Sequence, residues 1–285
     1  MNEKLPLKRR VFNAAAKGCV WAAAFAALAL VAFILLEVLI RGIPQISVAL
    51  LTSVPSVTRK IDGILPFILN TVYVVALTIL IVLPLGVGAA VYLNEYAQNK
   101  KLIRVIEFTT ETLAGIPSII YGLVGMLVFS QTMGFQTSLL SGCLTLVIMV
   151  LPTIIRTTQE SLKTVPQSYR EGALGLGARK WHIVRTIVLP QSLDGIVTGC
   201  ILAIGRIVGE SAAMLFTAGS AKKLLTGVKA YTRSGATLSV ALYLYAAEES
   251  NFEVAWAIAA VLLVLVLIIN SLAKLTQKTL KRRDA

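Results

Sequence analysis

The chain has 285 residues, of which 56% are hydrophobic and 14% are charged, and its mean hydropathy is +0.80. A soluble domain of this length needs far more charge to cover its surface, so the composition excludes an ordinary soluble protein. No soluble basic domain carries the net charge of +13, which makes a nucleic-acid partner the weaker interpretation and contact with membrane lipid the stronger one.

Uncharged runs of spanning length predict six transmembrane helices, because a bilayer core requires about 20 apolar residues as a helix. The run 111–156 is interrupted by polar residues at 131–137, so it is predicted to form two helices. The other spans are predicted within 18–36, 62–95, 194–217 and 254–273. Residues 235–247 are too short to span, and they form either a re-entrant or interfacial piece or an extramembrane helix.

Positive charge orients the predicted bundle. Six spans place both termini on one side, and that side carries most of the 27 Lys and Arg residues, including Lys4, Arg282 and Arg283. The opposite side carries fewer, among them Arg59 and Lys60. Because positive residues favour the cytoplasm, both termini and the loop 156–191 are predicted to be cytoplasmic.

Four segments follow from this topology. A cytoplasmic tail covers residues 1–18, and the first span with its outer loop covers 19–62. The main bundle covers 63–275 and contains the loop 160–190, and a second cytoplasmic tail covers 276–285. The first apolar run is of spanning length without a clear cleavage site, so it is interpreted as a retained helix rather than a signal peptide.

A polar cluster lies in the predicted third span, where Gly115, Pro117 and Gly122 are expected to break or bend the helix. Freed backbone N–H groups, with the hydroxyls of Ser118 and Tyr121, provide polar groups for a path through the membrane. The alternative is a structural kink in which both hydroxyls are satisfied locally.

The segment 168–190 of the cytoplasmic loop is polar and interrupted by glycines. Ser168 and Glu171 stand three residues apart, which predicts a capping box at the start of a short helix. Gly175 and Gly177 are expected to end that helix, because glycine adopts the positive φ that a helix stop needs. The alternative is that Glu171 only caps a helix and Gly177 only turns the chain.

A second short helix is predicted over residues 179–189, and Pro190 is expected to stop it. Its spacing places Trp181, Val184 and Val188 on one apolar stripe. Two short helices joined by glycines form a compact knob, here defined as residues 168–190. Such a knob fits a partner's cleft and moves as a rigid lever.

A charged pair lies inside the predicted fifth span. Arg206 and Glu210 are four residues apart, so they are expected to share one helix face. Gly205 and Gly209 are expected to permit close helix approach beside them. Arginine's planar fork suits a tetrahedral oxyanion, which makes Arg206, with Glu210 and Ser211, a candidate anion pathway. The alternative is an ion pair that only holds helices together.

Three motifs together resemble the PstA-type permeases of bacterial phosphate importers: the loop above, residues 115–122 and residues 205–212. The resemblance covers roughly residues 60 to 275. The loop resembles the cytoplasmic EAA loop, on which an ATPase subunit docks, although Gly172 replaces the usual alanine. By this resemblance the ATPase-coupling residues are Ser168, Glu171, Gly172, Ala173, Gly177, Ile187, Leu189 and Pro190.

The resemblance implies an all-helical, six-helix type I ABC-importer permease of the MetI-like fold in a bacterial inner membrane. It also implies a PstC-like permease as heterodimer partner, two PstB-like ATPase subunits and a periplasmic or lipoprotein phosphate-binding protein. ATP and Mg would bind to the ATPase subunits and not to this chain, which contains no G-x-x-x-x-G-K-[ST] phosphate loop. The family associates the positions of Arg206 and Glu210 with transport.

Three other functions compete with a phosphate permease. The first is a permease for another oxyanion or small solute, such as sulfate or molybdate, in the same superfamily. The second is a secondary transporter, which the missing inverted repeat disfavours. The third is an intramembrane enzyme, which is disfavoured because the single histidine, His182, lies in the cytoplasmic loop and no metal-ligand cluster is evident.

Overall fold

The computed structural model describes residues 7–56, 62–224 and 226–281, which are almost wholly helical. The α-helices in chain order are α1 (Leu7–Gly42), α2 (Val48–Thr52), α3 (Leu65–Val91), α4 (Lys100–Ala114), α5 (Ser118–Gly125), α6 (Leu139–Thr164), α7 (Gln167–Gly175), α8 (Lys180–Ile183), α9 (Leu189–Gln191), α10 (Leu193–Gly209), α11 (Ala212–Thr217), α12 (Val228–Tyr231), α13 (Leu238–Tyr243) and α14 (Phe252–Lys281). Lys4, Arg59, Lys60, Arg282 and Arg283, which enter the charge argument, lie outside the described residues.

Four of the α-helices are prolonged by π-helical turns. These turns follow α3, α5, α8 and α13, and they cover Tyr92–Tyr96, Met126–Thr132, Val184–Val188 and Leu244–Glu248. A 3-10 turn, Ile43–Gln45, follows α1. The π turns add length without a break, so that α3 with its turn forms one helix of 32 residues.

Six spans are consistent with these helices. Four continuous helices in the described part of the chain are long and apolar enough to cross a bilayer, and the total reaches six when each of two bent pairs is counted as one span. One pair joins Lys100–Ala114 to Ser118–Thr132 with a bend of 100°, and the other joins Lys180–Gln191 to Leu193–Gly209 with a bend of 65°. The predicted break at Pro117 is confirmed, as is the predicted turn at 131–137, where the helix ends at Thr132.

The centre of the bundle is the packing of α3 against α6. Gly86 on α3 lies so close to Ile154 on α6 that an added Cβ would be 2.5 Å from its Cγ2 atom. Both helices contribute fully buried side chains to one large apolar core, which also includes residues of α10, α13 and α14.

Small residues bring α10 against α6, but they are not the predicted ones. A Cβ added at Gly195 would lie 2.4 Å from Ser161, and one at Gly199 would lie 2.2 Å from Thr157. Gly205 and Gly209 have no atom within 4 Å of an added Cβ, so the predicted close approach there is wrong within this chain. The two pairs have the same spacing along α10, and packing decides which pair is covered.

The predicted continuous helix over 194–217 is also wrong. Helix α10 ends at Gly209, Glu210 is extended with φ −80° and ψ 115°, and α11 begins at Ala212. Glu210 therefore lies in a short break between two helices. The Glu210 carbonyl at this break accepts a hydrogen bond of 2.8 Å from Ser239 Oγ.

The segment 235–247 is a buried part of the bundle, which favours the re-entrant piece over the extramembrane helix. Leu238 and Tyr245 are almost completely buried, and α13 packs against α14 and α3. Two side chains near the start of α3 fasten this segment. Asn70 Nδ2 donates to the Ala236 carbonyl at 2.9 Å, and Thr71 Oγ1 accepts from the Leu238 N–H at 2.9 Å.

Helix α1 lies at the edge of the bundle and packs mainly along α14. The contact is close at Gly42, where an added Cβ would lie 2.4 Å from the Trp256 carbonyl. The Arg41 guanidinium is 5.4 Å from the centre of the Trp256 ring, a cation–π contact that fixes this end of α1. The most apolar stretch of α1 is not buried by the rest of the chain, as expected for a lipid-facing or partner-facing helix.

Candidate coupling knob and permeation site

The first arm of the knob is α7, and it does not begin with the predicted capping box. Pro166 occupies the N-cap position and makes no side-chain cap bond, while Ser168 is already the second residue of the helix. The Pro166 carbonyl accepts the first turn's hydrogen bond from Tyr169 N–H at 3.2 Å. Because the proline conformation starts the helix earlier, the Ser168 hydroxyl and the Glu171 carboxylate are left for other contacts.

The predicted glycine stop is confirmed. Helix α7 ends at Gly175, and Gly177 adopts a φ of +82°. The Gly177 N–H bonds the Leu174 carbonyl at 2.9 Å, and the Ala178 N–H bonds the Ala173 carbonyl at 3.0 Å. These two bonds form a Schellman motif, which reverses the chain and joins the two arms of the knob tightly.

The second arm differs from its prediction in two respects. It continues through Pro190 as helix to Gln191, because the proline sits in the first turn of α9, where its missing N–H is tolerated. The predicted apolar stripe is divided, since Val184 and Val188 are buried whereas Trp181 is 59% exposed. The Ser192 hydroxyl donates to the Val188 and Leu189 carbonyls and stabilises the bend that follows.

The motif residues of the knob face in two directions. Ser168, Glu171, Gly172 and Gly177 are exposed. Ala173, Ile187 and Leu189 pack against a second, smaller apolar core that lies apart from the main one. Pro190 is half-buried. Some residues of the motif are thus exposed to a partner, whereas others hold the knob against the smaller apolar core.

Large side chains that the sequence analysis did not single out complete the outward surface. Tyr169 and Leu174 are about half exposed, and Leu176 is 91% exposed at the tip beside Gly177. Trp181 is 59% exposed as well, so apolar surface is exposed on both arms of the knob. Exposed apolar surface of this kind is typical of a protein interaction site, and the exposed Leu176 next to a glycine stop was the available sequence signal.

The two clusters predicted for the permeation path lie next to each other. Helix α5 packs on α11 so closely that a Cβ added at Gly122 would be 2.8 Å from the Ala213 Cα. Gly122 itself therefore lies against the start of α11, and the preceding residue, Tyr121, is 7% exposed. Ser118, the first residue of α5, is half-buried.

Arg206 and Glu210 do not form the predicted pair on one helix face. The Glu210 Oε1 atom instead accepts the Ala213 N–H at 3.0 Å and caps the first turn of α11. Arg206 is half-buried, and none of the carboxylates in the described residues lies within ion-pair distance of it. Ser211 is also half-buried in the break. The arrangement leaves a positive charge available to an anion.

The Tyr121 hydroxyl donates a hydrogen bond of 2.7 Å to the Leu113 carbonyl. This carbonyl belongs to the last turn of α4, where the following proline removes a helical partner. Tyr121 thus stabilises the 100° bend, as expected if the cluster is a structural kink whose hydroxyls are satisfied locally. Its oxygen remains able to accept a further hydrogen bond.

Comparison with known proteins identifies the family. Residues 82–282 match the model of the binding-protein-dependent transport system inner membrane component. The chain belongs to this family. It is therefore a multi-pass permease component of an inner membrane transport system that works with a binding protein, and it is not an enzyme.

Individual relatives of this permease agree with the family match. The phosphate transport system permease protein PstA 1 of Mycobacterium tuberculosis (strain ATCC 25618 / H37Rv) is 31% identical over 98% of this chain and 92% of its own length. PstA of Yersinia pestis is 36% identical over 85% of this chain and 82% of its own. The probable ABC transporter permease protein YqgI of Bacillus subtilis (strain 168) is 38% identical over 64% of this chain and 62% of its own.

Solved structures show the fold of the permease. A bacterial ABC transporter for the acidic polysaccharide alginate matches 95% of this chain with a TM-score of 0.67 at 15% identity. The MetNI methionine ABC transporter in an inward-facing conformation matches 78% with a TM-score of 0.55 at 22% identity. The predicted MetI-like bundle is thereby confirmed.

Proposed function

We propose that this chain is the transmembrane permease subunit of an ATP-driven phosphate importer. The observation that carries the proposal is a half-buried Arg206 without a carboxylate partner among the described residues, in the last turn of α10, four residues before Glu210. A charge within a span costs at least about 2.5–3.5 kcal/mol on insertion scales, so an unpaired arginine is expected to serve a path for anions. The PstA relatives, matched over most of the chain, point to phosphate.

The proposed role of Arg206 follows from its chemistry. A guanidinium stays charged and donates two parallel hydrogen bonds to an oxyanion, which suits a phosphate passing through a narrow region. Ser118 and Ser211 supply hydroxyl donors to the proposed path, whereas Tyr121, whose hydrogen is donated to the Leu113 carbonyl, can only accept there. Glu210 acts indirectly in this scheme, because its carboxylate holds the start of α11 and so preserves the break beside Arg206.

The proposed partners bind on the cytoplasmic side, on the outer side and beside the bundle in the membrane. The exposed knob docks in the cleft of an ATPase subunit, and two PstB-like subunits hold ATP and Mg. A PstC-like permease completes the pathway, and a periplasmic or lipoprotein phosphate-binding protein docks on the outside. Both termini are cytoplasmic in this scheme. Residues 63–275 form the permease core and 19–62 an accessory span, which agrees with the peripheral position of α1.

Transport in this scheme is a population shift and includes no covalent chemistry in this chain. Docking of the loaded binding protein and closure of the ATPase dimer favour the outward-facing conformer, and hydrolysis restores the inward-facing one. The knob carries this change between the ATPase and the bundle. Phosphate then moves along a path that includes Arg206.

Phosphate uptake by proteoliposomes containing the assembled complex tests this function. Charge-assisted hydrogen bonding to the guanidinium, taken as about 1.5–3 kcal/mol in total, predicts that Arg206→Ala lowers uptake roughly 10- to 150-fold. Arg206→Lys should retain part of the activity, because it keeps the charge but not the fork. Arg104→Ala, at an exposed position on α4, is the matched control and should transport normally.

Three results would contradict the proposal. Normal kinetics in Arg206→Ala would show that the arginine is only structural. Uptake without ATP or without ATPase subunits would indicate a secondary transporter. Equal competition by sulfate would indicate a permease for oxyanions in general.

A further inference from the structure

Arg170 lies at the root of the knob and contacts two other elements. Its Nη2 atom donates to Glu95 Oε1 at 3.0 Å, in the π turn that prolongs α3. The same atom donates to the Leu162 carbonyl at 2.9 Å, and Nη1 donates to the Val165 carbonyl at 2.7 Å, both at the end of α6. The other arginines of the knob, Arg179 and Arg185, are exposed.

The Arg170–Glu95 pair is shielded from solvent, unlike the rest of the ion pairs found among the described residues. The Arg170 side chain is 13% exposed and that of Glu95 is 8% exposed. Each other pair includes at least one side chain that is 42% exposed or more. Solvent-exposed pairs contribute little, whereas removing one partner of a shielded pair leaves an uncompensated charge. Asn94 Nδ2 also donates to Glu95 Oε1, at 2.7 Å.

The end of α3 contacts the second arm of the knob as well. The Lys180 ammonium lies 5.2 Å from the centre of the Tyr96 ring. Below these polar contacts, Val91 and Leu93 share the smaller apolar core with Val184 and Val188. The π turn 92–96 is therefore attached to both arms of the knob, through one ion pair, one cation–π contact and one apolar core.

We propose that the Arg170–Glu95 ion pair is the joint through which movement of the knob is transmitted to α3 and α6. The proposal rests on the function proposed above, since it presumes an ATPase that moves the knob. Arg170 and Glu95 are positioning residues in this scheme: they touch neither phosphate nor nucleotide. Helices α3 and α6 form the centre of the bundle, so a displacement at their shared end reaches the permeation path.

The complex of this chain with its permease, ATPase and binding-protein partners, reconstituted in proteoliposomes, tests the joint. The variants are Glu95→Gln, which removes the charge, and Glu95→Asp, which keeps the charge but shortens the side chain. A third variant exchanges the partners, Glu95→Arg with Arg170→Glu. Glu107→Gln is the matched control, because it breaks the exposed Lys163–Glu107 pair between α4 and α6. Three quantities are measured: ATPase co-purification, ATP hydrolysis, and phosphate taken up per ATP hydrolysed.

A joint predicts that ATPase subunits co-purify normally with every variant, because the outward surface of the knob is unchanged. In Glu95→Gln, the phosphate taken up per ATP hydrolysed should decrease roughly 5- to 150-fold, which is the usual range of coupling between two sites. It should fall less in Glu95→Asp, recover in part in the exchanged pair and stay normal in Glu107→Gln. An unchanged ratio of phosphate to ATP in Glu95→Gln would refute the proposed joint. Loss of ATPase binding in Glu95→Asp would refute it as well, because it would show that the pair maintains the shape of the docking surface. Absence of uptake by the wild-type complex would instead refute the proposed function.

Discussion

The contact between α3 and α6 permits a quantitative prediction at Gly86. An alanine there would place its Cβ 2.5 Å from Ile154 Cγ2 and 2.9 Å from Ile154 Cβ. Carbon atoms in contact prefer about 3.5–4.0 Å, so the two helices must separate by about 1 Å. Ile154 is 1% exposed, so its side chain is enclosed by the bundle. Overpacking of this kind costs roughly 1–3 kcal/mol.

Gly88, two residues further along the same helix, supplies the matched control. A Cβ added there meets nothing within 4 Å. Both substitutions gain about 1 kcal/mol of helix propensity, and this gain cancels when the two variants are compared. Gly86→Ala should therefore be less stable than Gly88→Ala by roughly 1–3 kcal/mol, the overpacking term alone.

Thermal unfolding followed with a thiol-reactive dye measures this difference, because Cys143 is completely buried and reacts only when the bundle opens. A background with Cys19→Ser and Cys200→Ser removes the exposed and the partly exposed thiol, so that Cys143 alone reports unfolding. Each kcal/mol shifts the melting temperature by roughly 2–4 °C in a domain of 150–250 residues. Ile154→Ala in the Gly86→Ala background should relieve the clash, giving a coupling energy of about 1 kcal/mol or more in a double-mutant cycle. Equal melting temperatures for the Gly86 and Gly88 variants would refute the packing argument.

Three further predictions concern the knob and the break beside Arg206. Glu171→Lys reverses an exposed charge, so it should abolish ATP-dependent uptake while membrane insertion stays normal, and normal uptake would refute the docking role. Gly177→Ala should destabilise the knob by about 1–2 kcal/mol, since φ is +82° there. Gly175→Ala is the control and should not destabilise the knob, because Gly175 is helical and has free space for a Cβ. Equal rates of proteolysis of loop 160–190 in the two variants would contradict this prediction. Glu210→Ala should lose the cap of α11, about 1 kcal/mol, and much of the uptake, whereas Glu210→Gln keeps an acceptor and should transport. Loss of uptake in Glu210→Gln would show that the charge itself is required.

Local features of the sequence were sufficient to detect the apolar spans and the helix breaks at Pro117 and Gly177, although they misplaced the helix over 194–217 and the stop at Pro190. Hydropathy over about 20 residues reports whether a segment can cross a bilayer, whatever it packs against. Pro117 and Gly177 act through their own backbone, the first by its missing N–H and the second by its access to positive φ. Both breaks are therefore where the sequence predicts them.

The tertiary structure decided everything that depends on which surfaces meet. Helical spacing cannot tell whether Gly195 and Gly199 or Gly205 and Gly209 are covered, because both pairs have the same period, and only α6 makes the choice. Glu210 leaves the helix because its carbonyl and carboxylate find partners at Ser239 and Ala213. Arg170 and Glu95 are 75 residues apart in the chain, so their shielded pair exists only once the ends of α3, α6 and α7 have come together.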